Sequence, residues 1–270
     1  DKKMGFEPRL AESWKRLDPH TVRFNLRKGV KFHSGNPFSA DDVIWTFERL
    51  KQSPDFKGLF APFKEMKKVD DYTIDLVTND PYPLVLHMAT YIFPMDSKFY
   101  AGDDEKGNPK AMLKKHADTY ASTHASGTGP YIVTERQQGV RVDFERFGGY
   151  WDKQSPGNVD KIVLTPIKES PTRVAALLSG DVDFIAPVPP ADLPRISQDP
   201  NVNLVTMGGT RIITFQLNQE RRAEFKDPRV RQAMVYAINN EGIVEKIMKG
   251  FATAAAQQSP VGYAGHVESL

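Results

Sequence analysis

Between Thr21 and Leu26 the chain reads Thr-Val-Arg-Phe-Asn-Leu, so that Val22, Phe24 and Leu26 alternate with polar neighbours. Successive side chains on a strand point to opposite faces, and this period of two predicts a half-buried strand. Further strands are predicted at 30–32, 73–77, 131–135, 140–147, 161–167, 182–186, 203–207 and 211–218. Gln137-Gln138-Gly139 joins two of them into a hairpin. Elsewhere the apolar period lengthens. Val43, Phe47 and Leu50, with Ile44 beside them, form one helical stripe behind Ser39 as N-cap and Asp41 and Asp42 in the first turn. Shorter helices are predicted at 84–89, at 171–178 with Gly180 closing it, from Asp227-Pro228 through Ile238, and at 241–249 before Gly250. Residues 8–14 read as a short helix or turn, 33–37 as a turn cluster and 101–110 as a solvated loop. Strands and helices mix without strict alternation, which predicts an α/β protein built on a mixed sheet.

Composition narrows the class. A chain of 270 residues with 40% hydrophobic content can bury about three quarters of its unfolded surface. Its 36 basic and 34 acidic residues nearly cancel, which argues against a dedicated nucleic-acid binder. No apolar run is long enough to predict a membrane span. Without cysteine, the chain has no disulfide, no thiol nucleophile and no thiolate metal site. It begins at Asp1, with neither an initiator Met nor a signal peptide, and is expected to be a processed chain or a piece of a longer one.

Catalytic signatures are missing from the sequence. It contains no G-x-S-x-G elbow, no H-E-x-x-H pair, no Walker loop and no G-x-G-x-x-G. Ser126-Gly127-Thr128-Gly129-Pro130 is glycine-rich but precedes a strand, whereas a phosphate cradle needs a helix N-terminus behind it. None of the six His residues has another at i, i+4; His33 sits in a turn and reads as a hydrogen-bonding turn residue. The adjacent acids Asp41-Asp42, Asp70-Asp71 and Asp103-Asp104 read as a helix start, a turn and a loop. The expectation is therefore a binding protein rather than an enzyme, with no cofactor and no metal site.

Several segments together resemble the bacterial extracellular solute-binding proteins of family five, the peptide- and nickel-binding components of ABC importers. They are LAESW at 10–14, FNLRKGVKFHSGNPFSADDVIWTFERL at 24–50, GTGPYIV at 127–133, RVAALLSGDVDF at 173–184 and DPRVRQAMVYAINNEGIV at 227–244. RFGGYW at 146–151 resembles another marker of the family but departs from it at Phe147-Gly148-Gly149. The segments fall in the family's order across essentially the whole chain, although members are normally much longer, so the chain is expected to be truncated at both ends.

The resemblance implies a periplasmic-binding-protein-like fold of the class II type: a mixed-sheet lobe with an inserted subdomain, followed by the start of a second lobe. Residues 1–29 and 122–218 would form the core of lobe I, 30–121 its subdomain and 219–270 the beginning of lobe II. It implies capture of peptides or similar small solutes between the lobes, delivery to an ABC permease in the membrane, a periplasmic or extracytoplasmic location and a monomer at full length. This chain would carry one wall of the cleft, with Leu59, Phe60, Thr90, Tyr91, Ile92, Phe93, Ile212, Thr214 and Gln216 as candidate ligand contacts. Phe60, Ile92 and Phe93 on an open wall would favour self-association. The stretch Thr90–Phe93 lacks the Arg that nickel-binding members carry there, which weighs against a nickel chelate. Other readings left open are a nickel-chelate or other solute binder, and a ligand-sensing domain of a receptor or regulator with the same fold.

Overall fold

The computed structural model describes residues 5–115, 119–155, 157–207, 209–263 and 265–269. The chain divides into two compact units, Phe6–Pro166 and a second one containing Ile167–Leu270. Each is described by itself.

The first unit contains two antiparallel sheets. In the four-stranded sheet the order is β1 (Ala11–Arg16), β2 (Thr21–Leu26), β4 (Thr73–Thr78), β3 (Phe63–Asp70). The period-two pattern of β2 has the predicted consequence: Val22, Phe24 and Leu26 are buried. They pair with Leu76, Ile74 and Ala11 on neighbouring strands, so one face of the sheet is continuous apolar surface. Its other face carries Lys15, Arg23, Asp75 and Lys67 in one cross-strand row, in which Arg23 makes a bidentate pair with Asp75.

Over the apolar face lies α1 (Ala40–Gln52). Its start is the predicted one: Asp42 accepts hydrogen bonds from the Ser39 backbone N–H and hydroxyl at 2.9 and 3.2 Å. Val43 and Phe47 are fully buried below it. Phe47 meets Phe60 and Phe63 edge-on at centroid distances of 5.9 and 6.3 Å, a geometry that suits ring quadrupoles. Phe60 closes the one-turn helix α2 (Lys57–Phe60), and α3 (Val85–Ala89) adds Val85 to the same core.

Beyond α4 (Tyr120–Thr123), the chain enters the second sheet, ordered β5 (Tyr131–Gln137), β6 (Arg141–Arg146), β7 (Lys161–Leu164). The predicted hairpin is the β5–β6 pair, with Gly139 at φ 74°, a left-handed turn position that costs glycine little. None of the described residues on these three strands is fully buried.

In the second unit, α5 (Ser170–Ser179) ends on Gly180 at φ 81°. A 3-10 turn (Pro190–Asp192) leads into α6 (Leu193–Ser197). After a second 3-10 turn (Ala223–Lys226), α7 (Pro228–Ala237) starts where Asp227 accepts from the Arg229 N–H. Among the described residues there, Val174, Leu193 and Ile196 are the buried apolar side chains.

Several local expectations differ from the structure. The strand expected at 30–32 is only an isolated bridge between Lys31 and Pro37. Residues 8–14 are expected to be a helix or turn, but Ala11–Arg16 form strand β1 with a register shift between Ala11 and Ser13. Strand β3 has no period-two signature because a register shift between Phe63 and Glu65 puts Phe63 and Met66, three residues apart, on the core side. The segments 182–186, 203–207 and 211–218 are not strands; Ile213 is 83% exposed. A strand needs a partner for its backbone groups, and none of these segments is paired. The helix expected at 241–249 breaks into a single turn, α8 (Asn240–Gly242), and a π-turn (Ile243–Ile247), and Lys249 and Gly250 both take positive φ.

Removing the Phe47 ring is expected to destabilise the first unit by about 3–5 kcal/mol, because the void lies among rings that cannot collapse into it. Ile213→Ala is expected to cost less than about 0.5 kcal/mol. Urea unfolding followed by fluorescence compares the two; equal effects would contradict this placement of the core.

Candidate functional site

The most conspicuous solvent-facing apolar feature of the first unit is a short arch, Thr90–Pro94, that follows α3. At its start the chain continues the helix: the Tyr91 and Ile92 N–H groups donate to Met88 and Ala89, each at 3.0 Å, and the Thr90 hydroxyl donates to His87 O. At its end the Met95 N–H donates to the Thr46 hydroxyl on α1 at 2.8 Å. Between these two anchors Ile92 turns inward against the core, while Tyr91 and Phe93 turn outward, Phe93 with 73% of its surface exposed. No residue of the arch is charged. It therefore offers an aromatic and aliphatic face, a phenol and backbone groups, the kind of wall that holds a flat or apolar ligand group.

The arch stays in place because of the residue that follows it. Asp96 is fully buried. Its carboxylate accepts from the hydroxyls of Ser34 and Ser126, from the Asn36 side-chain amide and from the Phe99 N–H. Burial by itself raises the pKa of this carboxyl; the bonds from Ser34, Phe99, Asn36 and Ser126 outweigh it and hold the pKa below the ordinary carboxylate value. Next along the chain, Ser97 donates through both its N–H and its hydroxyl to Asp42 at the start of α1.

His33 completes the same junction. Its Nδ1 accepts from the Gly127 N–H at 3.3 Å, so its Nε2 carries the proton that reaches Gly129 O at 3.0 Å. The ring stands edge-on to Phe147 at 5.0 Å. Burial pushes the imidazole pKa down, and the bond to Gly129 opposes this only in part. The turn at 33–36, the loop at 96–99 and the turn at 126–129 are thereby joined through neutral donors around one carboxylate.

The candidate contacts fall in both units. Thr90, Tyr91, Ile92 and Phe93 make up the arch. Leu59 is exposed on α2, whereas the Phe60 ring beside it is core and unavailable to a ligand in this conformation. In the second unit Ile212 is half-buried, and Thr214 and Gln216 are exposed. Their placement on a cleft face assumed that the alternate residues pack inward, yet Ile213 and Phe215 are themselves exposed. Sequence reasoning did not single out Asp96, Asp42 or Ser126 as the anchors of the arch. Only Ser39 with Asp42 leaves a readable sign, a capping pattern at a helix start. Among the described residues no group of three His, Asp or Glu side chains could hold a metal ion, and no helix is long and apolar enough to cross a membrane.

Comparison with known proteins shows the family of the chain. The sequence model for the middle part of bacterial extracellular solute-binding proteins, family 5, matches residues 5–270. The chain belongs to this family. The dipeptide-binding protein of Escherichia coli is 30% identical over 94% of the chain, and heme-binding protein A of Haemophilus influenzae is also 30% identical over 94%. The family 5 chain spans about half the length of these curated relatives, 49% and 48%. Among solved structures, a Helicobacter pylori periplasmic binding protein, DppA, in complex with the peptide STSA superposes with a TM-score of 0.75 at 27% identity, over 94% of this chain and 52% of that one. Campylobacter jejuni NikZ in complex with Ni(L-His) gives a TM-score of 0.81 at 22% identity, over 96% of this chain and 50% of that one, and shows the shared fold. The expected periplasmic-binding-protein-like α/β fold is thereby found.

The two titratable anchors predict two acid steps. His33 binds a proton less readily folded than unfolded, so the stability it contributes is complete above about pH 6.5 and declines below that. Asp96 has a lowered folded pKa, so its contribution is present above about pH 4 and is lost as the pH falls through the folded value. Urea unfolding across pH should show both, with the upper step diminished in His33→Gln and the lower in Asp96→Asn. Asp96→Asn should also cost about 2 kcal/mol or more at neutral pH, because donors placed for a carboxylate lose it. Identical pH profiles for the two variants and the parent would refute these roles.

Proposed function

We propose that this chain is part of the solute-capturing component of an extracytoplasmic ABC importer, and that the arch Thr90–Phe93 with Leu59 forms one wall of its ligand cleft. The observation that carries the reading is the family match over residues 5–270, combined with an uncharged aromatic arch held at both ends. The printed names of relatives point to peptides and comparable small solutes: a dipeptide-binding protein, a di/tripeptide-binding protein of Pseudomonas aeruginosa and glutathione-binding proteins of Salmonella.

In this reading the chain carries lobe I, with its subdomain, and the start of lobe II. Ligand contacts on both lobes favour the closed state, and the permease distinguishes closed from open. No bond is made or broken, so the chain is not an enzyme. Phe93 and Tyr91 act as preorganised faces: an aromatic ring on an anchored segment loses little conformational freedom when a ligand settles on it.

The whole receptor, exported to the periplasm, is expected to retain a peptide or comparable solute that native mass spectrometry identifies. Phe93→Ala in that receptor should weaken binding of the identified solute by about tenfold, about 1.4 kcal/mol, without lowering the unfolding temperature. Unchanged affinity by calorimetry would remove the arch from the cleft wall.

A further inference from the structure

Within the first unit, the turn at 33–36 meets the turn at 126–129 that leads into β5. Phe32, just before the first turn, is fully buried in the core of the four-stranded sheet. The His33 N–H donates to Gly127 O at 2.8 Å, and the Ser34 N–H donates to the Ser126 hydroxyl at 3.3 Å. The His33 ring adds a bond in each direction, accepting from the Gly127 N–H at Nδ1 and donating to Gly129 O from Nε2. It also meets the edge of Phe147, whose N–H donates to Pro130 O at 2.7 Å where the β5–β6 hairpin opens. Gly149 makes room for that ring, since a Cβ there would come within 2.6 Å of it. His33 thereby grips the three-stranded sheet at Gly127, Gly129 and Phe147.

An imidazole can fill both roles only while it is neutral. One nitrogen then accepts and the other donates, whereas an imidazolium donates from both. A proton on Nδ1 would set two N–H donors against each other in a half-buried place. The segments packed on the ring bring little charge to it. Ser34, Gly35, Asn36, the turn at 126–129 and Phe147 are uncharged, Lys31 and Lys98 are exposed, and Arg146 is paired with Asp160. Asp96 is the nearest charge that the bonds place in the junction; it sits behind Ser34 and Ser126 and accepts from them. Among the described residues no ion pair involves His33.

We infer that His33 is a proton-sensitive clasp between the two sheets of the first unit: a proton on Nδ1 breaks the bond from Gly127 and opens the joint between the two turns in mild acid, while both sheets stay folded. The groups involved all lie within Phe6–Pro166 and are bonded to one another, so the clasp needs no open surface. Burial makes the closed imidazole a poorer base than usual. Opening wets the ring and restores its ordinary basicity, so protonation and opening favour each other. The closed joint is therefore favoured above about pH 6.5, and the opened fraction grows as the pH falls below that.

Hydrogen exchange followed by mass spectrometry on the full-length protein, at about pH 7.5 and about pH 5.5 and corrected for the chemical exchange rate, tests this. Opening at the amides of 126–133 should rise several-fold at the lower pH, with about tenfold as the ceiling set by an opened imidazole of ordinary pKa. The amides of 43–50 and 74–77, in the core of the four-stranded sheet, should not change. In His33→Gln, whose neutral amide can accept and donate in the same places, opening at 126–133 should not depend on pH. A parent without the rise overturns the inference, as does a rise of the same size in His33→Gln. A rise shared by 43–50 overturns it too, because the whole unit would then be loosening. The parent profile decides by itself if His33→Gln does not fold.

Discussion

One buried carboxylate organises the first unit. Asp96 sits where three otherwise separate segments converge, and it satisfies two hydroxyls, a side-chain amide and a backbone N–H. Among the described residues no cation lies within ion-pair distance of it. A buried anion without a counter-ion persists only when its hydrogen bonds are complete, so every donor around it must hold its position. That demand fixes the turn at 33–36, the chain from Met95 to Phe99 and the entry to β5 at once. The arch of Tyr91 and Phe93 owes its shape to this junction and to the Thr46 hydroxyl, since its own residues make few contacts that would hold it.

The two sheets of this unit solve different problems. The four-stranded sheet buries one face under α1 and the cluster of Phe47, Phe60 and Phe63, and turns a charged face to solvent. Such a sheet is complete, and its edges are guarded. The three-stranded sheet has no fully buried described residue, and its last strand is apolar on both faces. Strands of that character normally lie inside a protein between layers.

The junction around Asp96 is stiff: its carboxylate is held by several donors, and the interlocked rings of Phe47, Phe60 and Phe63 leave the neighbouring core few alternative arrangements. In the arch, Phe93 is exposed yet its backbone is fixed within a few residues on either side. An aromatic face presented in this way can bind without first paying for its own ordering.

The sequence alone determined the elements whose pattern is local. The alternation of β2 and β4, the capped start and apolar stripe of α1, the β5–β6 hairpin and the Asp227 cap each depend on neighbours within a few residues, and each is found. The order of motifs carried the family for the same reason, since it is a property of the chain. What required tertiary structure is whatever depends on a distant partner. Strand β3 is invisible to a period-two reading because its bulges are set by pairing with β4. Residues 203–207 and 211–218 have the pattern of strands and lack partners. Leu59 and Phe60 are adjacent and equally apolar, and only packing against Phe47 and Phe63 decides that one is surface and the other core. Asp96 is one acid among 34 in the sequence. Its role follows from Ser34, Asn36 and Ser126 reaching it across 62, 60 and 30 residues, a convergence that no local pattern encodes.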